Sequence, residues 1–189
     1  MKHPAAALNA FARPLCRMLA VAALLAVLPA RADEFADVLQ LLRNGRSDDA
    51  LARIDAYLVA KPRDPQMRFV RGVVLNEKGR TAEASAAFLA LTQEFPELPE
   101  PHNNLAVLYA RQGEYDKARA ALEMAVRANP GYAVAHENLG DIYASLANQA
   151  YARALQLDPG NATLAPKIAA TRAVATHTST RNSAAPVWP

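Results

Sequence analysis

The sequence predicts an all-α protein built from repeated pairs of helices, and two observations carry that prediction. Three residue types recur every 34 residues: Pro62, Pro96 and Pro130; Gly45, Gly79 and Gly113; and Ala50, Ala84 and Ala118. A fixed period of this length is typical of solenoids, in which each repeat is one supersecondary unit. The composition agrees, because the chain is rich in alanine and leucine and contains few glycines and aromatic residues. Such a composition favours helices over strands.

Residues 1–32 have the pattern of a secretory signal peptide. Lys2, Arg13 and Arg17 form a basic start, an uncharged apolar run covers residues 18–28, and Ala30-Arg31-Ala32 is a small-x-small motif after Pro29. The apolar run is about 16 Å of helix, whereas the hydrocarbon core of a bilayer is about 30 Å thick. We therefore predict a cut after Ala32 and export to the periplasm. The alternative is an uncleaved membrane anchor.

Removing residues 1–32 changes the charge of the protein. Four of the 21 Lys and Arg lie there and no Asp or Glu does, so 17 cations remain against 18 acids, a net charge of −1. The basic pI of the full chain therefore does not indicate nucleic-acid binding. The single cysteine, Cys16, also leaves, and its position before the apolar run argues against lipidation. The mature chain then has no disulfide and no cysteine ligand or nucleophile.

Residues 99–132 fit a helix–turn–helix unit. Leu105, Leu108 and Tyr109 recur at helical spacing. Gly113 is placed to end the first helix with a positive φ angle, and Pro130 prevents the second helix from continuing. The inner face of the second helix is predicted to carry small residues beside a leucine, namely Ala118, Leu122 and Ala125.

At these residues the chain resembles the tetratricopeptide repeat (TPR) family. The 99–132 repeat supplies the motif residues of that family: Leu105, Ala106, Tyr109, Ala118, Leu122, Ala125 and Pro130. The units are 31–64, 65–98, 99–132 and a shortened 133–161. Arg71 departs from the motif in the second unit, and the opening residues of the first belong to the signal. The resemblance covers almost all of the domain 33–161. It implies a TPR-like helical solenoid of about three full helix-turn-helix repeats, a shortened fourth unit and a C-terminal helix.

The fourth unit is five residues short, and the loss falls on the turn between its helices. Residues 144–149 read ASLANQ, whereas the turn of the preceding unit, 111–117, reads RQGEYDK. Apolar residues keep a helical spacing through the short unit. We therefore predict one nearly continuous helix over 134–157 that ends the array; the alternative is a pair of helices with a pinched turn. Residues 162–174 are predicted to form a capping helix, and residues 175–189 a disordered tail.

The TPR resemblance also implies that the first helix of each unit lines a concave binding groove. By the same resemblance, Glu77, Glu100 and Val134 hold groove positions. The candidate groove residues are Phe69, Val73, Asn76, Asn103, Asn104, Arg111, Glu137, Asn138 and Asp141. Asn104 and Asn138 hold equivalent positions, which predicts an asparagine ladder on the backbone of an extended peptide. The alternative is that asparagine is simply tolerated on a polar helix face. Phe69 and Val73 form an apolar patch that either takes partner side chains or packs against the first repeat.

Other site types find little support. The carboxylate clamp of chaperone-binding TPR proteins requires cations and asparagines, and of the corresponding residues only Asn104 matches. His102 and His136 have no second ligand nearby in sequence, so we predict no metal site and no cofactor. No catalytic motif is present, and we do not expect an enzyme.

The sequence thus predicts a non-catalytic, protein- or peptide-binding adaptor or scaffold of the bacterial cell envelope. It resembles the small exported TPR proteins of proteobacteria. The expected partner is another envelope protein or an extended peptide, with no nucleic acid and no stable membrane insertion after signal cleavage. The alternative is a structural, self-associating module whose groove is filled by a second copy or by its own tail. That tail ends in APVWP and includes Trp188.

Overall fold

The computed structural model describes residues 30–181, and every regular element in that part of the chain is an α-helix. The predicted all-α class is therefore confirmed. The helices are α1 (Ala30–Arg43), α2 (Ser47–Ala60), α3 (Pro65–Glu77), α4 (Thr81–Glu94), α5 (Pro99–Arg111), α6 (Tyr115–Ala128), α7 (Ala133–Leu157) and α8 (Leu164–Arg181). The chain divides into two compact units, Met1–Ala50 and Leu51–Pro189.

The first unit contains α1 and a tight turn. Val38 on α1 is fully buried. Gly45 ends the helix with φ +70°, and the amide of Arg46 donates to the carbonyl of Leu41 across it. The signal peptide predicted for residues 1–32 lies almost wholly outside the described residues. Ala30, Arg31 and Ala32 are helical, so the predicted cut falls after the first three residues of α1.

In the second unit, the same turn closes two helix pairs. Gly79 follows α3 with φ +73° and Gly113 follows α5 with φ +76°. In each turn, the amide after the glycine donates to the carbonyl five residues earlier, from Glu114 to Tyr109 for example, at 2.9 Å. This Schellman geometry requires a left-handed residue, which glycine adopts without a Cβ clash. The prediction that Gly113 ends a helix with positive φ is confirmed.

Gly72 allows α3 and α4 to pack closely. A Cβ atom at this position would lie 2.7 Å from Cε1 of Phe88 on α4. The ring of Phe88 is buried and also packs at 5.6 Å, centroid to centroid, against Phe69. Only a residue without a side chain leaves room for this ring, so Gly72 fixes how the second helix lies on the first.

The core of the second half joins α5, α6 and α7. Its buried members are small or aliphatic: Ala106, Ala118, Ala121, Leu122, Ala125, Ala135 and Ile142. The predicted inner face of α6 is therefore confirmed. Alanines at the contact permit close helix approach, and Leu122 and Ile142 fill the remaining volume.

The shortened fourth unit forms one helix. α7 has 25 residues, from Ala133 to Leu157, and confirms the prediction of a continuous helix. Residues 144–149 contain no glycine or proline. A turn there would break backbone hydrogen bonds of the helix, and no residue in the segment favours a turn that would compensate for them. α7 packs on α5 and α6 with its first half.

α8 packs against α7 and is longer than the sequence analysis predicted. Asn148 on α7 donates from Nδ2 to the carbonyl of Ile168 at 3.0 Å and to Oγ1 of Thr171 at 2.9 Å. The predicted boundary at 174 was wrong: helical backbone continues to Arg181, so 175–181 is not an irregular tail. Those residues contain no glycine or proline, and an existing helix extends at little cost. The remaining tail, 182–189, lies outside the described residues.

Candidate functional site

The first helices of consecutive repeats lie side by side and are joined by two side-chain hydrogen bonds. Arg111 on α5 donates from Nη1 to Oδ1 of Asn76 on α3 at 3.2 Å. Asn138 on α7 donates from Nδ2 to Oδ1 of Asn103 on α5 at 2.8 Å. Each pair is separated by 35 residues, one more than the repeat period. These bonds place the candidate groove residues of three helices along one continuous row.

Phe69 and Val73 do not line an accessible surface. Both side chains are buried, and Phe69 packs against Phe88 within its own helix pair. The prediction of an apolar patch open to partner side chains is therefore wrong. For Phe69, the missing side chain at Gly72 leaves room for the Phe88 ring that packs on it.

Two of the predicted asparagine ligands are also buried. Asn103 and Asn138 are inaccessible and bond to each other, so the Asn138 amide serves the contact between α5 and α7. Asn104 is half-buried, and its Nδ2 donates to the carbonyl of Glu100 in its own helix at 2.9 Å. The geometry thus gives no ladder of free amides at 104 and 138.

The remaining predicted residues are accessible. Asn76 and Asp141 are partly exposed, and Arg111 and Glu137 are exposed. Asp141 also has Ser145 bonded to its backbone carbonyl at 3.0 Å. At the end of the row, the side chain of Val134 is 43% exposed. Among these residues, the surface that a ligand could reach is therefore polar and charged, apart from Val134.

Glu100 is a feature that the sequence analysis did not single out. It lies in the first turn of α5, is 7% exposed, and its Oε2 has no hydrogen-bond partner. Burial raises the pKa of Tyr132, and the negative charge of Glu100 raises it further. This coupling places the carboxylate near Tyr132, which precedes α7. The sequence signal was its groove position by TPR resemblance, but sequence could not show its burial.

Glu77 is a second acid without a compensating charge. It ends α3 at a groove position, and partial desolvation alone raises the pKa of its carboxyl. By contrast, Arg80 lies 2.7 Å from the carboxylate of Glu83 and lowers its pKa. Glu77 and Glu100 thus differ from Glu83 on α4, which has a cation beside it.

The two histidines at equivalent repeat positions bond to the preceding turns. Nε2 of His102 lies 3.3 Å from the carbonyl oxygen of Pro96, and Nε2 of His136 lies 2.9 Å from that of Pro130. A neutral imidazole with its proton on Nε2 donates in both contacts. Burial lowers the pKa of His102, although the contact to Pro96 opposes this shift. Both histidines therefore connect a helix to the turn before it.

Two further observations concern residues 30–181. In this range, no cluster of three or more histidine, cysteine, aspartate or glutamate side chains has the arrangement of a metal site. None of the helices described there combines the length and apolar character needed to cross a membrane.

Family models identify the repeats directly. Two tetratricopeptide repeat models match residues 35–99 and 75–143, which together make up more than half of the chain. The chain belongs to the tetratricopeptide repeat family. The predicted TPR-like helical solenoid is thus confirmed, and proteins of this family generally mediate protein–protein interactions. No curated protein matches the sequence at a significant level.

Several solved structures share the fold. A thermophilic TPR protein of Thermus thermophilus is 21% identical, with a TM-score of 0.55 over 75% of this chain and 98% of that one. MamA of Desulfovibrio magneticus RS-1, from residue 41, is 20% identical, with a TM-score of 0.56 over 78% and 90%. PcrH, in complex with the chaperone binding region of PopD, is 16% identical, with a TM-score of 0.56 over 62% and 92%. Identities this low establish the fold alone.

Proposed function

We propose that this chain is an exported, non-catalytic adaptor or scaffold that binds an extended segment of another protein in the bacterial cell envelope. The observation that carries the proposal is the row of accessible polar side chains on α3, α5 and α7. Asn104, Glu137 and Asp141 present hydrogen-bonding groups on helices that are already packed, and the side chain of Asn104 is held by the carbonyl of Glu100. A preformed backbone lowers the ordering cost of binding, which suits recognition of a flexible segment.

The binding of a segment of another protein has a precedent in one structural neighbour. PcrH has a similar fold and was solved in complex with a region of PopD. A helical groove can hold a segment of another chain through side chains aligned along its first helices. We extend the binding of a protein segment to the present chain.

The envelope location is supported by residues 1–32. Their basic start, apolar run and Ala30-Arg31-Ala32 motif are typical of a cleaved export signal. The test is to express the full chain in a Gram-negative host, separate periplasm from cytoplasm, and sequence the amino terminus. We expect periplasmic protein beginning at Asp33. Unprocessed protein in the cytoplasm would contradict export, and unprocessed protein in the membrane would favour the anchor.

Site-specific photocrosslinking tests the groove. A photoreactive amino acid is introduced at Val134, which is 43% exposed on α7, or at Leu89, which is 42% exposed on α4. The two sites are matched in exposure and chemistry, but only Val134 lies at a groove position. We expect a crosslinked envelope protein from Val134 and none from Leu89. Equal crosslinking from both sites, or from neither, would count against groove binding.

A second candidate function is self-association, and an uncovered part of α7 favours it. Tyr143 is 49% exposed, and a Cβ atom at Gly140 would meet nothing within 4 Å. Light scattering over a range of concentrations tests this candidate, first with the full mature chain and then without residues 182–189. A dimer lost on deletion would assign the contact to the tail, whereas a dimer that persists would assign it to a second copy. A monomer at all concentrations would reject this candidate.

A further inference from the structure

We propose that Glu100 anchors a lysine or arginine side chain of the partner segment, so that this groove selects basic peptides. The inference rests on the peptide-binding function proposed above and specifies the chemistry of the ligand. The contribution of Glu100 is electrostatic: its carboxylate would accept hydrogen bonds from an ammonium or guanidinium group.

The Glu100 side chain is buried in an unsatisfied state. The residue is more than nine-tenths buried, and Oε2 has no hydrogen-bond partner. A buried carboxylate oxygen without a donor is unfavourable, because its hydration is lost and nothing replaces it. A cation supplied by a ligand would provide the missing donor and the opposite charge.

Comparison with other glutamates shows that this state is unusual in the described chain. Glu94 receives two hydrogen bonds from Arg68, at 2.7 and 2.8 Å. Oε2 of Glu114 also lacks a donor with hydrogen-bond geometry, but Nζ of Lys117 lies 2.7 Å away. Glu100 has no ion pair of this kind. The sequence therefore supplies cations to acids of the second helices and leaves this groove acid without one.

Glu100 itself is only 7% exposed, but it lies beside residues that a bound segment could reach. It lies in the first turn of α5, and its backbone carbonyl accepts from Asn104 one turn later, so both residues share a helix face. Tyr132, whose pKa reports the charge of Glu100, precedes α7. The equivalent residue of the next unit is Val134, which is accessible. A segment lying along the groove would run past the Glu100 carboxylate, close to Asn104 and Val134.

The charge of the whole row favours the same partner. The groove positions of the three units 65–98, 99–132 and 133–161 carry four acids, Glu77, Glu100, Glu137 and Asp141, and one cation, Arg111. Arg111 is bonded to Asn76 at the opposite end of α5 from Glu100. Complementary charge would raise the association rate and the specificity for a basic segment.

Selection from a library of random dodecapeptides tests the inference while the partner is unidentified. The mature chain is used as bait, and the selected peptides are compared with the unselected library. We expect lysine and arginine to be enriched. The strongest peptide is then titrated against the wild-type protein, Glu100→Gln and Glu123→Gln. Glu123 lies on α6 beside Arg119 and makes a control with the same change of charge.

We expect Glu100→Gln to weaken binding about tenfold, a loss of about 1.4 kcal/mol, and Glu123→Gln to leave it unchanged. Replacing the contacting lysine of the peptide by norleucine, which keeps the stem without the charge, should weaken binding to wild type equally. The norleucine peptide should bind Glu100→Gln as tightly as the lysine peptide binds Glu100→Gln, because the partner of the cation is already absent. The norleucine arm uses unaltered protein, so it tests the requirement for a cation even if a variant folds poorly, and the Glu100→Gln arm assigns that cation to Glu100.

The outcomes separate this inference from the proposed function. Selected peptides without cation enrichment, or basic peptides equally bound by Glu100→Gln, would overturn the role of Glu100 and leave peptide binding intact. If no peptide is selected and Val134 gives no crosslink, both proposals fail.

A thermal melt provides a further check, because Glu100→Gln removes an unpaired buried charge and should not lower the unfolding midpoint. A clear decrease would show that the carboxylate has a structural partner and would overturn the inference.

Discussion

Asn138 donates a 2.8 Å side-chain hydrogen bond to Asn103, and both residues are buried between the first helices of two repeats. In the repeat, Asn138 is equivalent to Asn104, whereas in the structure its side chain bonds to Asn103, the residue before Asn104. The same offset occurs between Arg111 and Asn76. Neighbouring first helices therefore meet with a shift of one residue relative to the repeat, which turns a predicted ligand into a structural contact.

This pair predicts strong coupling between two substitutions. Asn138→Leu or Asn103→Leu alone should lower the free energy of unfolding by about 1–3 kcal/mol, because each leaves a buried amide unsatisfied. The double variant removes both polar groups and should be less destabilised than the sum of the two. Urea unfolding of the four proteins measures the coupling. Additivity within about 0.5 kcal/mol would show that the bond contributes nothing.

Two glycines at equivalent positions should respond to alanine with opposite signs. Gly72→Ala would place Cβ 2.7 Å from the ring of Phe88, and should destabilise the fold by about 1–3 kcal/mol through overpacking. Gly140→Ala meets nothing within 4 Å inside helix α7, and should stabilise by roughly 0.5–1 kcal/mol. Thermal or urea unfolding compares them directly. Destabilisation by Gly140→Ala would mean that this face is covered in solution.

His102 should make the fold sensitive to mild acid. Burial lowers its pKa below the ordinary value of 6.5, so the unfolded chain binds a proton more readily than the folded chain. Its contribution to stability is fully present above about pH 6.5 and is lost as the pH falls through the lower folded pKa. The unfolding midpoint should therefore decrease as the pH falls below about 6.5, and the midpoint of His102→Gln should decrease less steeply over the same range.

His136→Gln is the matched control, since His136 makes the equivalent contact to Pro130 but is exposed. This variant should keep the pH dependence of the wild type. If His136→Gln abolishes the pH dependence and His102→Gln does not, the burial argument is wrong.

Asn148 should control how firmly α8 is held. Asn148→Ala removes both donated hydrogen bonds, to Ile168 and to Thr171, and leaves the backbone of α7 unchanged. We expect faster amide hydrogen exchange over 164–181, with little change in α5 and α6, because local opening reports local stability. Gln149→Ala, at the exposed neighbouring position, should leave exchange unchanged. Equal protection in Asn148→Ala would show that apolar contacts alone hold α8.

Much of the fold could be predicted because its signals are local and repeated. Gly113 requires a positive φ angle, Pro130 cannot continue a helix, and residues 144–149 contain no residue that breaks one. The end of α8 was missed because residues 175–181 carry no stop signal and too few apolar residues to indicate a helix. Whether such a segment stays helical depends on the helix before it rather than on its own composition.

The candidate site was predicted less well. Sequence and resemblance placed nine residues on the first helices, and the structure keeps Asn76, Asn104, Arg111, Glu137 and Asp141 at least partly accessible. It buries Phe69, against the Phe88 ring that Gly72 leaves room for, and Val73, and it pairs Asn103 with Asn138. The accessibility of a groove side chain depends on how closely the neighbouring helix packs against it. The helical period of a sequence contains no information about that packing distance.

By itself, the sequence determined the repeat, the helix ends and the continuous α7, because each follows from backbone preferences within a few residues. Tertiary structure decided which groove side chains face a ligand and which face another helix. It also decided that Glu100, one acid among 18 in the sequence, is buried without a donor. The physical reason is that hydration and hydrogen bonding of a side chain are set by atoms distant in sequence, brought near only when the helices pack.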